Sequence, residues 1–135
     1  MTRKIFLALL SIGSAIAATA PARAGLQLGE RPIRRTEVIA TVKQQFAEMD
    51  TDHDGTVSPA EFDHYRVRQD AMPDQGRGLT HIGKSWFDRS DADHNGKVTL
   101  VEAQSHPLEL FDMADANRDG VASVSEQSVA MLFVK

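Results

Sequence analysis

The stretch DTDHDGTVSPAE, residues 50–61, places four acidic side chains within twelve residues. Asp50, Asp52 and Asp54 alternate along the chain, and Gly55 follows the third of them. Glu61 closes the stretch six residues after the glycine. Because like charges at this density repel one another, the stretch indicates that a cation binds among the acids.

Two further stretches repeat this spacing: DADHNGKVTLVE at residues 91–102 and DANRDGVASVSE at residues 115–126. Each begins with Asp, has Asp or Asn at its third and fifth positions, Gly at its sixth and Glu at its twelfth. All three fit the pattern D-x-[DN]-x-[DN]-G-x5-E.

On these residues the chain resembles the EF-hand (calmodulin-like) calcium-binding superfamily, and in particular it is similar to small exported bacterial EF-hand proteins. The resemblance implies an all-α array of helix-loop-helix units with three calcium ions, one in each intact loop. It also implies that side-chain oxygens at positions one, three, five and twelve and the carbonyl at position seven hold the metal. The expected ligands are Asp50, Asp52, Asp54, Thr56 and Glu61; Asp91, Asp93, Asn95, Lys97 and Glu102; and Asp115, Asn117, Asp119, Val121 and Glu126.

Metal-free turns are the alternative, since Asp, Asn and Gly favour turns by themselves. That alternative does not account for the glutamate six residues after each glycine. Charge also argues against it, because ten of the 19 acidic residues are expected ligands. After removal of residues 1–24 the chain has a net charge of −7, which three calcium ions would bring to about −1.

Helices are predicted on both sides of each intact loop. Each loop ends in a capping box, in which Ser or Thr is followed three residues later by the closing glutamate. The apolar residues before the loops fall at helical spacing and predict a core. A groove for a target protein is the alternative role for these side chains, which are Val38, Val42, Phe46, Met49, Phe87 and Phe111.

A shift of 65 residues aligns residues 31–61 with residues 96–126. Residues 26–37 are therefore interpreted as a vestigial fourth loop. Leu26 and Leu28 occupy its first and third positions, and Arg31 replaces its glycine. We expect no calcium there, and we expect two repeated halves, about 25–70 and 80–135, joined by a linker at 70–80.

Only twelve residues separate each closing glutamate from the next aspartate, at residues 38–49 and 103–114. This is too short for two helices, so one helix shared by two loops is predicted in each half. Loop 50–61 would then pair with loop 91–102 through Val57 and Val98, and the vestigial loop with loop 115–126 through Ile33 and Ala122. Pro107 should kink or break the second shared helix, and a break would permit a more local pairing.

Residues 1–24 read as a signal peptide, with Arg3 and Lys4 before an apolar run and a small-x-small cleavage site at 22–24. An uncleaved anchor is the alternative, but the run is shorter than the ~20 apolar residues of a membrane span. Cleavage before Gly25 would give a periplasmic or secreted protein at residues 25–135, with no membrane attachment.

The remaining composition narrows the function. The acidity argues against nucleic acid and anionic lipid as partners. There is no cysteine, no nucleophile motif and no phosphate loop, and the five histidines lack zinc-ligand spacing. We therefore expect no catalytic residue, no organic cofactor site and no enzyme activity.

Two functions stay open. One is a calcium sensor or buffer of the periplasm, which could expose an apolar surface to a protein partner. The other is a structural or protein-interaction module that is always loaded with calcium, whose ions replace disulfides.

Overall fold

The computed structural model describes residues 26–71 and 78–132. The predicted signal peptide and residues 72–77 of the predicted linker lie outside the described residues. The described part contains five helices: α1 Arg35–Met49, α2 Pro59–Asp70, α3 Trp86–Ser90, α4 Leu100–Ala114 and α5 Val124–Ala130. It also contains four two-residue strands: β1 Ile33–Arg34, β2 Thr56–Val57, β3 Val98–Thr99 and β4 Val121–Ala122. The helix-loop-helix units are therefore accompanied by four short strands, so the structure is not strictly all-α as the resemblance implied.

Three helices begin with the predicted capping boxes. The backbone N–H groups of Glu61, Glu102 and Glu126 donate to the hydroxyls of Ser58, Thr99 and Ser123, each at 3.3 Å. The glutamate carboxylates accept the N–H groups of the same three capping residues at 2.8–2.9 Å. These reciprocal bonds satisfy N–H groups that a helix start otherwise leaves without a partner.

The two shared helices are confirmed. Both α1 and α4 have 15 residues, about 22 Å at ~1.5 Å per residue. Each helix ends directly before the first aspartate of the following loop. The Asp50 N–H donates to the Phe46 carbonyl, and the Asp115 N–H donates to the Phe111 carbonyl, both at 2.8 Å. α4 is continuous across the buried Pro107, so the break considered from the sequence is wrong. The apolar side chains on either side of the proline, Ala103 and Leu110, are both buried, so this face of the helix stays in the core across the proline.

The predicted loop pairing is also confirmed. β2 pairs with β3 in an antiparallel sheet that places Val57 opposite Val98. β1 pairs with β4 and places Ile33 opposite Ala122. Because α1 and α4 pack together and each joins one loop of both sheets, they run in opposite directions between the two sheets.

Each sheet lies against its own apolar cluster. The cluster beside β2–β3 contains Val42, Phe46, Met49, Val57, Phe62, Tyr65, Ile82, Trp86, Val98 and Ala103. Within it the Phe62 and Trp86 rings stack with centroids 5.5 Å apart. The cluster beside β1–β4 contains Ile33, Val38, Leu79, Leu110, Phe111, Ala114, Ala122 and Ala130. The predicted core residues are therefore buried, apart from the partly buried Phe87.

The end of the predicted linker packs against the vestigial loop. Gly78 forms an antiparallel bridge with Gln27, and the Leu79 N–H donates to the Leu26 carbonyl at 3.1 Å. Leu79 is 2% exposed. Among the described helices, none is both long enough and apolar enough to cross a membrane.

Replacing Phe111 by Ala tests the packing of α4. The side chain is fully buried, so its loss should reduce the free energy of unfolding by about 3–5 kcal/mol. Val101→Ala is the matched control in the same helix, because Val101 is 75% exposed, and it should change stability by less than about 0.5 kcal/mol. Urea denaturation monitored by circular dichroism measures both; equal effects would contradict the packing described here.

Candidate metal centre

The first aspartate of each intact loop organises the backbone around it. Asp50, Asp91 and Asp115 are buried at 5–6% exposure. In each case Oδ1 accepts the N–H of the fifth loop residue at 3.1 Å. Oδ2 accepts the N–H of the glycine at the sixth position at 2.9–3.0 Å. The three loops therefore share one turn, closed by one carboxylate.

That turn requires left-handed backbone at two positions. The glycines Gly55, Gly96 and Gly120 have φ of 81–85°, which a residue without Cβ adopts without strain. The fourth residues, His53, His94 and Arg118, have φ of 55–58°. All three fourth residues are exposed, and the two histidines among them form part of the turn. The sequence pattern does not specify this second left-handed position.

Carboxylate oxygens converge in two loops. Asp50, Asp52 and Asp54 each bring one carboxylate oxygen within 4.8 Å of the others. Asp91, Asp93 and Glu102 do the same in the second loop. Hard oxygen ligands gathered in this way suit a divalent cation such as calcium. The convergence of these six predicted ligands is the geometric basis for a metal centre.

The third loop has the turn but not an equivalent acidic group among the described residues. Its third position is Asn117, whose amide oxygen accepts the Asp119 N–H at 2.9 Å. The same contact in the first loop is made by the Asp52 carboxylate at 3.1 Å. Binding of a third ion at Asp115, Asn117, Asp119 and Glu126 therefore stays a prediction.

The closing glutamates are held in the ionised form. Three backbone N–H groups, led by that of Ser58 and followed by those of Asp52 and Thr51, lower the pKa of Glu61 to about 2, and the Ser58 hydroxyl adds to this. The Thr99 N–H lowers the pKa of Glu102, and the Ser123 hydroxyl lowers that of Glu126. Glu61 Oε1 also accepts the Thr51 N–H across the loop at 2.8 Å. An oriented, charged carboxylate thus stands at the end of each loop.

The fifth and seventh positions are also linked. In the first loop Asp54 Oδ1 accepts both the N–H and the hydroxyl of Thr56 at 2.8 Å. Asn95 and Asp119 accept the N–H groups of Lys97 and Val121 at the same distance. These bonds orient the seventh residue, whose carbonyl is the expected ligand. The carbonyl role of Thr56, Lys97 and Val121 stays a prediction.

Lys97 contacts the neighbouring loop. Its Nζ lies 3.8 Å from Asp54 Oδ2 of the first loop, and the β2–β3 pairing, with Val57 opposite Val98, holds the two loops beside each other. Lys97 itself belongs to loop 91–102. The structure shows that its charge also faces a predicted ligand of loop 50–61.

The vestigial loop has a different chemistry. Leu26 and Leu28 pack against the apolar cluster beside β1–β4. Arg31 pairs with Glu37 at 3.0 Å, and the Arg31 side chain lowers the pKa of Glu37. The guanidinium of Arg34, the residue before α1, has no acceptor atom and cannot accept an N–H of the first helical turn. The Arg34 N–H itself donates to the Glu37 carboxylate at 2.8 Å.

The depressed pKa of Glu61 predicts acid sensitivity of the metal-free protein. The folded pKa lies below the unfolded value of about 4.3, so the stabilisation is complete above that value and is lost as the pH falls toward 2. Glu61→Gln should therefore lose less stability between pH 4.5 and 2 than the unmutated chain. Thermal unfolding of chelator-treated protein measures this, with the exposed Glu30→Gln as control. Identical pH profiles for Glu61→Gln and the unmutated protein would contradict this assignment.

Comparison with known proteins agrees with the geometry. Residues 42–64 and 108–126 match the EF hand family. No curated protein matches the chain. The two matched regions contain loops 50–61 and 115–126, and the acidic groups lie in loops 50–61 and 91–102. Together these findings support an EF-hand calcium-binding family for this chain.

Proposed function

We propose that the chain is an exported calcium-binding protein that takes up three ions, in loops 50–61, 91–102 and 115–126, and serves as a periplasmic calcium sensor or buffer. The observation that carries this proposal is the common cradle, in which a buried aspartate closes each loop and an oriented glutamate ends it. Export rests on the sequence of residues 1–24 alone.

The third calcium site is supported by the similarity of its loop to the other two. Loop 115–126 has the same bonds from the fifth, sixth and seventh N–H groups as the other two loops, within 0.1 Å. An Asn at the third position is allowed by the calcium-loop pattern, because its amide oxygen is also a ligand. One fewer formal charge reduces attraction to the ion but does not remove the ligand.

A sensor role is supported by the shared helices. α1 and α4 each have a loop at both ends, so an ion that moves one end of a helix also moves the start of another loop. The alternative, a structural or interaction module that is always loaded, is favoured by the burial of the core side chains, which leaves them inaccessible to a target. We propose no catalytic role, no nucleic-acid partner and no membrane attachment after cleavage.

Calorimetry on chelator-treated protein, residues 25–135, separates these functions. We expect three calcium ions per chain, and two after Glu126→Gln, because this change removes the bidentate ligand of the third loop. Dissociation constants near 10⁻⁴ M with a helical metal-free state indicate a sensor for extracellular calcium. Submicromolar binding to an unfolded chain indicates the structural module.

No heat at millimolar calcium would contradict the proposed function. A mature chain that starts at Gly25 in the periplasmic fraction tests the export step. The uncleaved chain in the cytoplasm would contradict that step alone.

Lys97→Gln should strengthen calcium binding by loop 50–61. The variant removes a positive charge 3.8 Å from Asp54, and a partly exposed charge at this range should alter affinity by about threefold to tenfold. Lys43→Gln, an exposed change on α1 outside the loops, controls for net charge. Calorimetry at low and high salt measures both variants. Equal effects of the two substitutions would contradict a local interaction with Asp54.

A further inference from the structure

Loop 26–37 keeps part of the form of a calcium loop, its sheet pairing and its left-handed fourth residue, although it lacks most of the ligands. Ile33 is paired in a sheet with Ala122, as Val57 is with Val98. Gly29, its fourth residue, has φ of 87° and so adopts left-handed backbone, as the fourth residues of the intact loops do. With leucine at two ligand positions, an interaction other than metal coordination must hold this form.

The Arg31 guanidinium contacts the oxygen atoms that remain at the ligand positions of this loop. Its Nη1 lies 3.0 and 3.1 Å from the two carboxylate oxygens of Glu37, the twelfth residue. The same nitrogen donates to the carbonyl of Pro32, the seventh residue, at 3.0 Å. In a calcium loop the seventh carbonyl and both oxygens of the twelfth residue bind the ion. One nitrogen of Arg31 therefore contacts the three oxygens that would otherwise face calcium.

Gln127 holds the backbone of the same loop. Its side chain is fully buried; Oε1 accepts the Gly29 N–H at 2.7 Å, and Nε2 donates to the Arg31 carbonyl at 2.7 Å. Nε2 also donates to the Ala122 carbonyl in β4 at 2.8 Å. The corresponding residue after the closing glutamate is apolar and buried in the other three loops, where it is Val38, Phe62 and Ala103. A buried amide is costly unless its hydrogen bonds are made, so the polar residue at this one position serves those bonds.

The vestigial loop and the helix that follows it contact loop 115–126 at two points, at its centre and directly after its end. Gln127 directly follows Glu126, the closing glutamate of that loop. The N–H of Arg35, the first residue of α1, donates to the Gly120 carbonyl at 3.0 Å. An ordered vestigial loop therefore restrains Gly120 and the first turn of α5. Gly120 lies between the predicted ligands Asp119 and Val121, and the first turn of α5 contains Glu126.

We propose that Arg31 and Gln127 take the place of calcium in loop 26–37 and act as positioning residues that pre-form the calcium site of loop 115–126. This inference rests on the proposed function in so far as loop 115–126 binds calcium. Since part of the ordering is done before the ion arrives, the site binds calcium more tightly than its ligand charge alone would give.

Among the described residues, the other pair of loops contains no arginine bound to a closing glutamate and no buried amide bonded to a loop backbone. Loops 50–61 and 91–102 carry seven predicted acidic ligands between them, and in the described residues the one cation within salt-bridge distance of those ligands is Lys97. In the metal-free protein the β1–β4 sheet should therefore persist, while the β2–β3 sheet loosens under the repulsion of its carboxylates.

A calcium titration monitored by ¹H–¹⁵N NMR measures each loop separately. The N–H groups of Gly55, Gly96 and Gly120 each donate to the first aspartate of their own loop, so each reports its own site. Gln127→Leu keeps the volume and removes the bonds, and it should weaken the Gly120 site about tenfold. The Gly55 and Gly96 sites should stay within about twofold.

Arg31 provides a second variant that does not disturb the core. Arg31→Gln should weaken the Gly120 site about threefold to tenfold, because the side chain is 55% exposed and its pairing is partly screened. Arg31→Lys keeps the charge and should restore most of the affinity. Gln45→Leu is the matched control, since Gln45 is also buried but its amide donates to the Thr80 carbonyl, outside every loop.

Three results would overturn the inference. If Gly120 titrates but neither Gln127→Leu nor Arg31→Gln changes its dissociation constant beyond about twofold, the positioning role is wrong and the proposed function stands. If both variants weaken all three sites equally, as Gln45→Leu would through a general loss of stability, the role is not specific. If Gly55 and Gly96 respond to calcium in the unmutated protein and Gly120 does not, loop 115–126 is not a site.

Discussion

The length of the segment between one loop and the next governs this fold. Twelve residues separate Glu37 from Asp50, and twelve separate Glu102 from Asp115. A single helix is all that this length permits, so α1 and α4 each carry a loop at both ends. Loops at opposite ends of a helix cannot form a sheet with each other, and each must pair with a loop of the other half. The crossed pairing, the antiparallel packing of α1 on α4 and the two apolar clusters all follow.

The second constraint on the fold is the repulsion among the carboxylates that each intact loop brings together. Each intact loop turns its backbone N–H groups toward the first aspartate and fixes its closing glutamate in the ionised state. The pKa of Asp52 is raised, although the Asp54 N–H lowers it, because desolvation and the charges of Asp54 and Glu61 oppose ionisation. A divalent cation relieves this repulsion. In the vestigial loop the cation is a side chain of the same chain, Arg31.

Much of this arrangement could be predicted from the sequence, because loop spacing, capping boxes and apolar periodicity are local signals. Val57 opposite Val98 and Ile33 opposite Ala122 followed from the spacing alone. Contacts between distant residues could not be predicted. The approach of Lys97 to Asp54 depends on how two loops sit side by side. The effect of Pro107 depends on whether burial around it outweighs one lost hydrogen bond.

The sequence marks Gln127 as unusual among the repeats. Alignment of the four repeats places it where Val38, Phe62 and Ala103 stand, and a polar residue at an apolar position suggests a specific bond. Its partners, Gly29, Arg31 and Ala122, could not be named without the fold, since two of them lie more than 90 residues away. The signal therefore locates the unusual residue, and only the structure shows what it holds.

A crystal structure of residues 25–135 grown with calcium, with anomalous diffraction used to locate the ions, tests the central claim most directly. The account predicts one peak in each of loops 50–61, 91–102 and 115–126, and the Arg31 guanidinium without a peak beside Glu37. Loops without any anomalous peak at saturating calcium, or a peak on Glu37 with Arg31 displaced, would contradict it.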